Sequence, residues 1–152
     1  MSPPTLDGAP VNDSTRRQVA AAFNEALEHE LGSIVRYLHD SFVVYGPNRD
    51  PIVQHFRAKA RESFEHAILL GEKIAALGGV PTAKVEADLP AKRRTVEQML
   101  KSDLENENEA IAKYQSYLEL VKDDVALDFF VRRIIIEEQQ HIDDLTKLLR
   151  TE

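Results

Sequence analysis

LDFFVRRIIIEEQQHIDDLTKLL, residues 127–149, is the stretch that decides the fold. Leu127, Phe130, Val131, Ile134, Leu145 and Leu148 recur at three- and four-residue intervals, the spacing of one face of an α-helix. Glu138 and His141 fall on the same line, in the turns between Ile134 and Leu145. A helix that buries this face therefore carries two ionisable groups into a core. Burying an isolated carboxylate costs several kcal/mol unless something holds it, so its partners have to come from elsewhere in the chain.

Three further stretches carry the same signature. Asp13 or Ser14 can cap a first helix with Val19, Phe23, Ala26, Leu27, Ile34, Tyr37, Leu38 and Val44 along one side, ended by Gly46 and Pro47. Glu30 lies on that line. Asp50 and Pro51 read as the cap and first residue of a second helix. Its stripe of Ile52, Phe56, Leu70, Ile74 and Leu77 runs through Ser63 and His66 to GGVP, residues 78–81. A third helix, expected from about Ala91, sets Glu107 among Val96, Met99, Leu100, Leu104, Ile111, Tyr114, Leu118 and Val121. Lys122–Asp124 then break the pattern before the fourth.

Residues 79–91 contain Pro81 and Pro90 and no clean period, which reads as a connection longer than a tight helix hairpin. Four long helices with one such connection predict an all-α four-helix bundle with a crossover between helices 2 and 3. No internal repeat is visible. Residues 1–12, with Pro3, Pro4 and Pro10, read as a flexible arm ahead of a single domain spanning 13–152.

Composition narrows the chemistry. There is no cysteine, which excludes disulfides, iron–sulfur clusters and thiolate zinc sites, so any metal must sit on oxygen and nitrogen. The formal charge of −7 argues against nucleic acid as a partner, and the one basic cluster, Lys92, Arg93 and Arg94, reads as a solvated helix start. No apolar run reaches the roughly 18 residues of a membrane span, and the first twelve residues lack the pattern of a secretory signal, so cytoplasmic residence is the expectation.

Polar residues on four facing stripes at similar depth demand a common compensating charge, and a divalent metal supplies one. Glu138 and His141 project from one helix face at i and i+3, and single Glu residues on other helices complete a shell. Mixed carboxylate and imidazole ligation suits iron or manganese, and iron makes oxygen chemistry accessible. A single zinc or manganese ion at His66, Glu138 and His141 is the smaller alternative. His29, His39 and His55 are expected at the surface or behind the ligands.

The residues also resemble a known family, the bacterioferritins of the ferritin-like di-iron superfamily. FNEALEHELGSIVRYLHDS, residues 23–41, is similar to that family's first helix, and HAILLGEKIAALGGVP, residues 66–81, to the end of its second. EQMLKSDLENENEAI, residues 97–111, and EEQQHIDDL, residues 137–145, resemble the third and fourth. The resemblance implies that Glu30 and His66 serve one iron, Glu107 and His141 the other, and that Glu138 bridges them, with Tyr37 close by as an electron donor. It also implies Fe(II) oxidation by O2 or H2O2, storage of the ferric product, and a homo-oligomer, at least a dimer.

Three departures stand out. The family's Glu-x-x-His on helix 2 is Ser63-x-x-His66, which removes one bridging carboxylate and should weaken metal binding. Glu62 lies about 40° from His66 around an ideal helix and is either a substitute ligand or a carboxylate facing solvent. Lys59 near the same face can offset a carboxylate in a site that holds less metal. The position of the family's haem-binding methionine is Phe64, which has no donor atom, so no haem is expected there. The chain continues only eleven residues past His141, too few for the family's fifth helix, which favours a dimer or smaller shell over a large cage. Three activities remain open at this level: a storage ferroxidase, a di-iron oxidase or peroxidase with fixed metals, and a bundle that has lost its metal and acts as a structural or interaction protein.

Overall fold

The computed structural model describes residues 12–90 and 92–151. They form four helices, α1 (Asp13–Val43), α2 (Arg49–Ala76), α3 (Val96–Val121) and α4 (Val125–Leu149), with no strand among the described residues. The fold is all-α, a four-helix bundle. α1 packs along α2, α3 along α4, and α1 also against α3. Among the described residues no helix is long and apolar enough to cross a membrane.

Short polar side chains cap three of the four helix starts, though not always where the sequence suggested. Asn12, not Asp13 or Ser14, caps α1 by accepting from the Thr15 amide at 2.8 Å. Asn12 was grouped with the N-terminal arm; residues 1–11 of that arm lie outside the described residues. α2 begins at Arg49, one residue ahead of the expected cap at Asp50. α3 begins at Val96, later than expected, because Thr95 and Gln98 close a reciprocal capping box that fixes the start there. Ala91, the expected start, lies outside the described residues. Asp124 caps α4 by accepting from the Leu127 amide at 3.0 Å. α2 stops where Gly78 adopts φ +83°, a conformation that side chains disfavour, while the Gly78 and Gly79 amides satisfy the Ala75 and Ile74 carbonyls.

The connection that follows lies along α1. Asn24 donates to the Val80 carbonyl and accepts from the Thr82 amide, Thr82 reaches Glu28, and Arg94 pairs with Asp40. At Gly32 the connection passes so close that a Cβ atom would stand 2.0 Å from the Glu86 carbonyl oxygen. Only glycine fits.

The core is in two parts. Val19, Phe23, Leu27, Leu70, Ile74, Tyr114, Val131 and Ile134 fill one end of the bundle. Val44, Val53, Phe56, Met99, Leu100 and Leu145 fill the other. Along every helix the residues between these clusters are polar, which places a layer of Glu and His at mid-height. Two expected core residues fall outside: Leu38 is 38% exposed on α1, and Leu148 is 53% exposed at the C-terminal end of α4. The periodicity holds there, but no neighbouring helix covers the stripe.

Candidate metal centre

The polar layer consists of Glu30 on α1, His66 on α2, Glu107 on α3, and Glu138 and His141 on α4, each buried. Five residues separated by up to 111 positions in sequence are brought together because each occupies an inward position of an amphipathic helix. Glu30, His66 and Glu138 form one group whose potential ligand atoms all lie within 4.8 Å of one another; Glu107, Glu138 and His141 form a second. Glu138 belongs to both, with Oε1 3.0 Å from His66 Nδ1 and Oε2 3.3 Å from His141 Nδ1.

Both imidazoles are oriented alike. The Nδ1 atoms face the inner carboxylates, and neither makes a hydrogen bond although both are buried. His66 Nδ1 also lies 3.3 Å from Glu30, and His141 Nδ1 lies 3.8 Å from Glu107. The Nε2 atoms face outward to carboxylates of the opposite helix: His66 to Glu137 at 2.6 Å, His141 to Glu62 at 2.5 Å. An outward carboxylate on Nε2 fixes the tautomer that leaves the Nδ1 lone pair pointing inward, the arrangement that metal-binding histidines use. Orphaned buried nitrogens turned toward buried carboxylates fit a divalent cation better than they fit each other.

Phenols hold the two carboxylates that serve one group each. Tyr37 on α1 donates to Glu107 at 2.5 Å, and Tyr114 on α3 donates to Glu30 at 2.9 Å. Burial, with Glu107 beside Tyr37 and Glu30 beside Tyr114, pushes both phenols well above the usual tyrosine range, so they remain donors at any physiological pH.

The arrangement is repeated across the bundle. Tyr follows Glu by seven positions in α1 (Glu30, Tyr37) and in α3 (Glu107, Tyr114), and His follows Glu by four in α2 (Glu62, His66) and in α4 (Glu137, His141). Each half supplies the partners of the other half. Glu138 on α4 has Ser63 as its counterpart on α2, and this is where the two halves differ in chemistry. Reading the sequence singly missed Glu137, Tyr114 and the repeat itself; the shared spacings were the available signal.

Glu62 is half-exposed and belongs to neither ligand group. It contacts the outer nitrogen of His141 and takes a second contact at 3.3 Å from Lys59, whose side chain is largely buried. His29, His39 and His55 also lie outside both groups. Burial and the neighbouring Arg36 and Lys113 hold His29 near 4, so it is neutral.

A model of the ferritin-like domain matches residues 20–152. The chain belongs to the ferritin-like family. Among solved structures it is similar to a ferritin-like, diiron-carboxylate protein from Bacillus anthracis str. Ames, with a TM-score of 0.83 and 27% identity over 90% of this chain and 98% of that one. A bacterioferritin from Desulfovibrio desulfuricans, crystallised with its diiron site in different catalytic states, gives 0.81 and 25% over 93% and 83%. A dodecameric thioferritin from Bacteroides fragilis, bacterioferritin-related, gives 0.78 and 25% over 88% and 85%. No curated protein matches the chain.

Charge in this ferritin-like layer has a consequence for the metal-free protein. Burial pushes His66 and His141 down, but Glu138 and Glu30 beside His66, and Glu107, Glu138 and Glu62 beside His141, outweigh it and raise both to about 11. Burial raises Glu138, and the two imidazoles overcome this and bring it to about 2. Without metal, protons on the two histidines take the place of the cation. Folded-state values raised above 6.5 give stability that is complete below pH 6.5 and lost as pH rises toward 11. Metal-free protein should therefore melt at progressively lower temperature from pH 6.5 to pH 9, while metal affinity rises over the same range because the ion displaces protons. Calorimetry with chelator and with metal checks both; a metal-free melting temperature that climbs with pH contradicts the assignment.

Proposed function

We propose that this chain binds two iron ions in the buried layer and oxidises Fe(II) with O2 or H2O2, as a ferroxidase of bacterioferritin type serving iron storage or detoxification. The observation that carries this reading is the sharing of Glu138 between two groups, each also holding one terminal Glu and one His. Glu30 and His66 would hold one ion, Glu107 and His141 the other, with Glu138 between them. Two Fe(II) ions supply one electron each, and O2 accepts both with two protons to leave as peroxide.

The chain's own residues do the rest. Glu137 and Glu62 keep the imidazoles aligned and strengthen them as ligands, and Tyr114 and Tyr37 hold Glu30 and Glu107 in single orientations. The apolar clusters close the layer off from water at either end of the bundle. Where only one Fe(II) is bound, Tyr37 would supply the second electron that O2 takes on its way to peroxide, its phenolic proton passing to Glu107 at 2.5 Å. Ser63 contributes no carboxylate, so three protein ligands remain for each ion and one shared position is open to solvent ligands or oxygen.

Anaerobic addition of Fe(II) followed by O2 tests the reading. Two Fe(II) per chain should oxidise rapidly, and continued additions should give soluble ferric iron well beyond two per chain if the product is stored. Arrest at two indicates a fixed di-iron cofactor, and no rapid phase at all sinks the proposal.

Storage needs a homo-oligomer. The surface formed by α1 and α2 supports one: Leu38, Phe42, Phe64 and Ile68 are exposed there, around a depression of about 240 Å³ shared with Arg57 and Arg61. An exposed apolar patch of this kind suits a second copy of the chain. Phe64→Glu should convert a dimer or larger assembly to monomer in light scattering; an unchanged mass places the contact elsewhere.

A further inference from the structure

A cavity of about 700 Å³ lies between α1, α3 and residues 86–90 of the connection. It is on the opposite side of the bundle from the histidine Nε2 atoms. Seven of its lining residues are carboxylates, against the three permanent cations Arg36, Arg94 and Lys113. Two of these cations are engaged: Arg94 with Asp40, and Arg36 with the Ser33 hydroxyl at 2.7 Å. Glu86, Asp88 and Glu109 are exposed around the cavity, whereas Asp103 is buried.

Asp103 is the anomaly. It is 2% exposed, and its Oδ2 has no hydrogen-bond partner. A buried carboxyl oxygen without a donor carries its full desolvation cost, and native structures rarely leave one unexplained. Among the described residues no arginine or lysine forms an ion pair with it, and Arg36 and Arg94 only partly offset the neighbouring acids. Burial, Asp40 and Glu107 together raise it to about 8. A proton relieves this cost near neutral pH, and a cation arriving in the cavity would relieve it by displacing that proton.

One helical turn separates Asp103 from Glu107 on α3, and Glu107 belongs to the second ligand group. The geometry points to Asp103 as the inner anchor of a cation-holding site in this cavity, where a divalent ion from solvent is taken up and passed to Glu107. The inference rests on the reading of the buried Glu and His layer as a metal centre. Beyond the two groups of that layer, no three potential ligand atoms converge among the described residues. The ion in the cavity therefore keeps much of its water and binds weakly, which is what a station on a path requires and a resident site does not. The smaller opening between α2 and α4, about 300 Å³, reaches His66 and His141 directly, but Lys59 lines it and opposes a cation, and its Glu62 and Glu137 are already committed to the histidines.

Mn(II) titration of the full chain, followed by the electron paramagnetic resonance of the free ion, separates the two sites. In a His66→Ala, His141→Ala variant, one weak and exchangeable Mn(II) per chain should remain, and adding Asp103→Asn should weaken it about tenfold or more, the loss of one charged contact. Asn is nearly isosteric with Asp, and circular dichroism should show the same helix content in each variant. In an otherwise unaltered chain, Asp103→Asn should slow filling of the buried pair about tenfold while leaving the final stoichiometry unchanged. No residual Mn(II) in the double-histidine variant, or residual binding indifferent to Asp103→Asn, overturns the cavity site. An unchanged filling rate overturns the path. A chain that holds Mn(II) at Asp103 and none at the histidines overturns the metal-centre reading instead.

Discussion

Glu138→Ala should empty both metal positions at once, taking the metal content from two ions per chain to none. Its Oε1 and Oε2 face His66 and His141 at 3.0 and 3.3 Å, so one substitution removes an anionic ligand from each group. Each ion would be left with one carboxylate and one imidazole, too few to compete with water for a divalent cation. Losing a residue that merely supports a ligand typically costs 10–100-fold in affinity, so a shared ligand should cost more than about 100-fold. Glu137→Ala and Glu62→Ala, which remove supports of His66 and His141, provide the scale and should stay within that smaller range. Elemental analysis after growth in iron and after dialysis reads the difference. Two ions retained by Glu138→Ala would deny it a bridging place, and no metal in the unaltered protein would mark the layer as a relic.

What was legible in the sequence follows from how strongly each feature is forced. Helix number and the inward placement of Glu30, Glu107, Glu138 and His141 are dictated by burial, because a stripe repeating every three or four residues has one way to face a core. Asn12 was missed as a cap because Asn12, Asp13 and Ser14 stand together and the choice is made by which side chain reaches which amide; Thr95 was missed because the start was expected at Ala91, ahead of the capping box that Thr95 closes with Gln98. Glu137 was hidden for a different reason. It lies beside Glu138 in sequence and looks like its solvated neighbour, and only the approach of α2 brings His66 Nε2 to within 2.6 Å of it. Asp103 shows the limit most clearly: it lies one turn before Glu107 among the inward residues of α3, but only the structure shows it buried beside a cavity shared with Asp40 and Arg94, with one oxygen unpartnered.

The repeat of spacings between the two halves makes Ser63 the position with the largest expected gain. Glu62-Ser63-x-x-His66 on α2 answers Glu137-Glu138-x-x-His141 on α4, so Ser63→Glu would place a second carboxylate opposite Glu138, at a site that is already buried. Each ion would then have four protein ligands in place of three, and affinity should rise at least about tenfold for the pair, seen as metal surviving dialysis that strips the unaltered chain. The same change should harm the metal-free protein. A fourth carboxylate joins Glu30, Glu107 and Glu138 with only the two imidazoles and, one turn away, Lys59 to offset it, at a cost on the order of 1–3 kcal/mol. The melting temperature should fall without metal and rise with it, and that widening gap is the distinguishing result. A uniform fall in both states would mean that the pocket beside Ser63 cannot accept the longer side chain. Unchanged affinity with an intact fold would show that Ser63 is not what limits the site, and would return attention to Lys59 as the group that keeps cations weakly held.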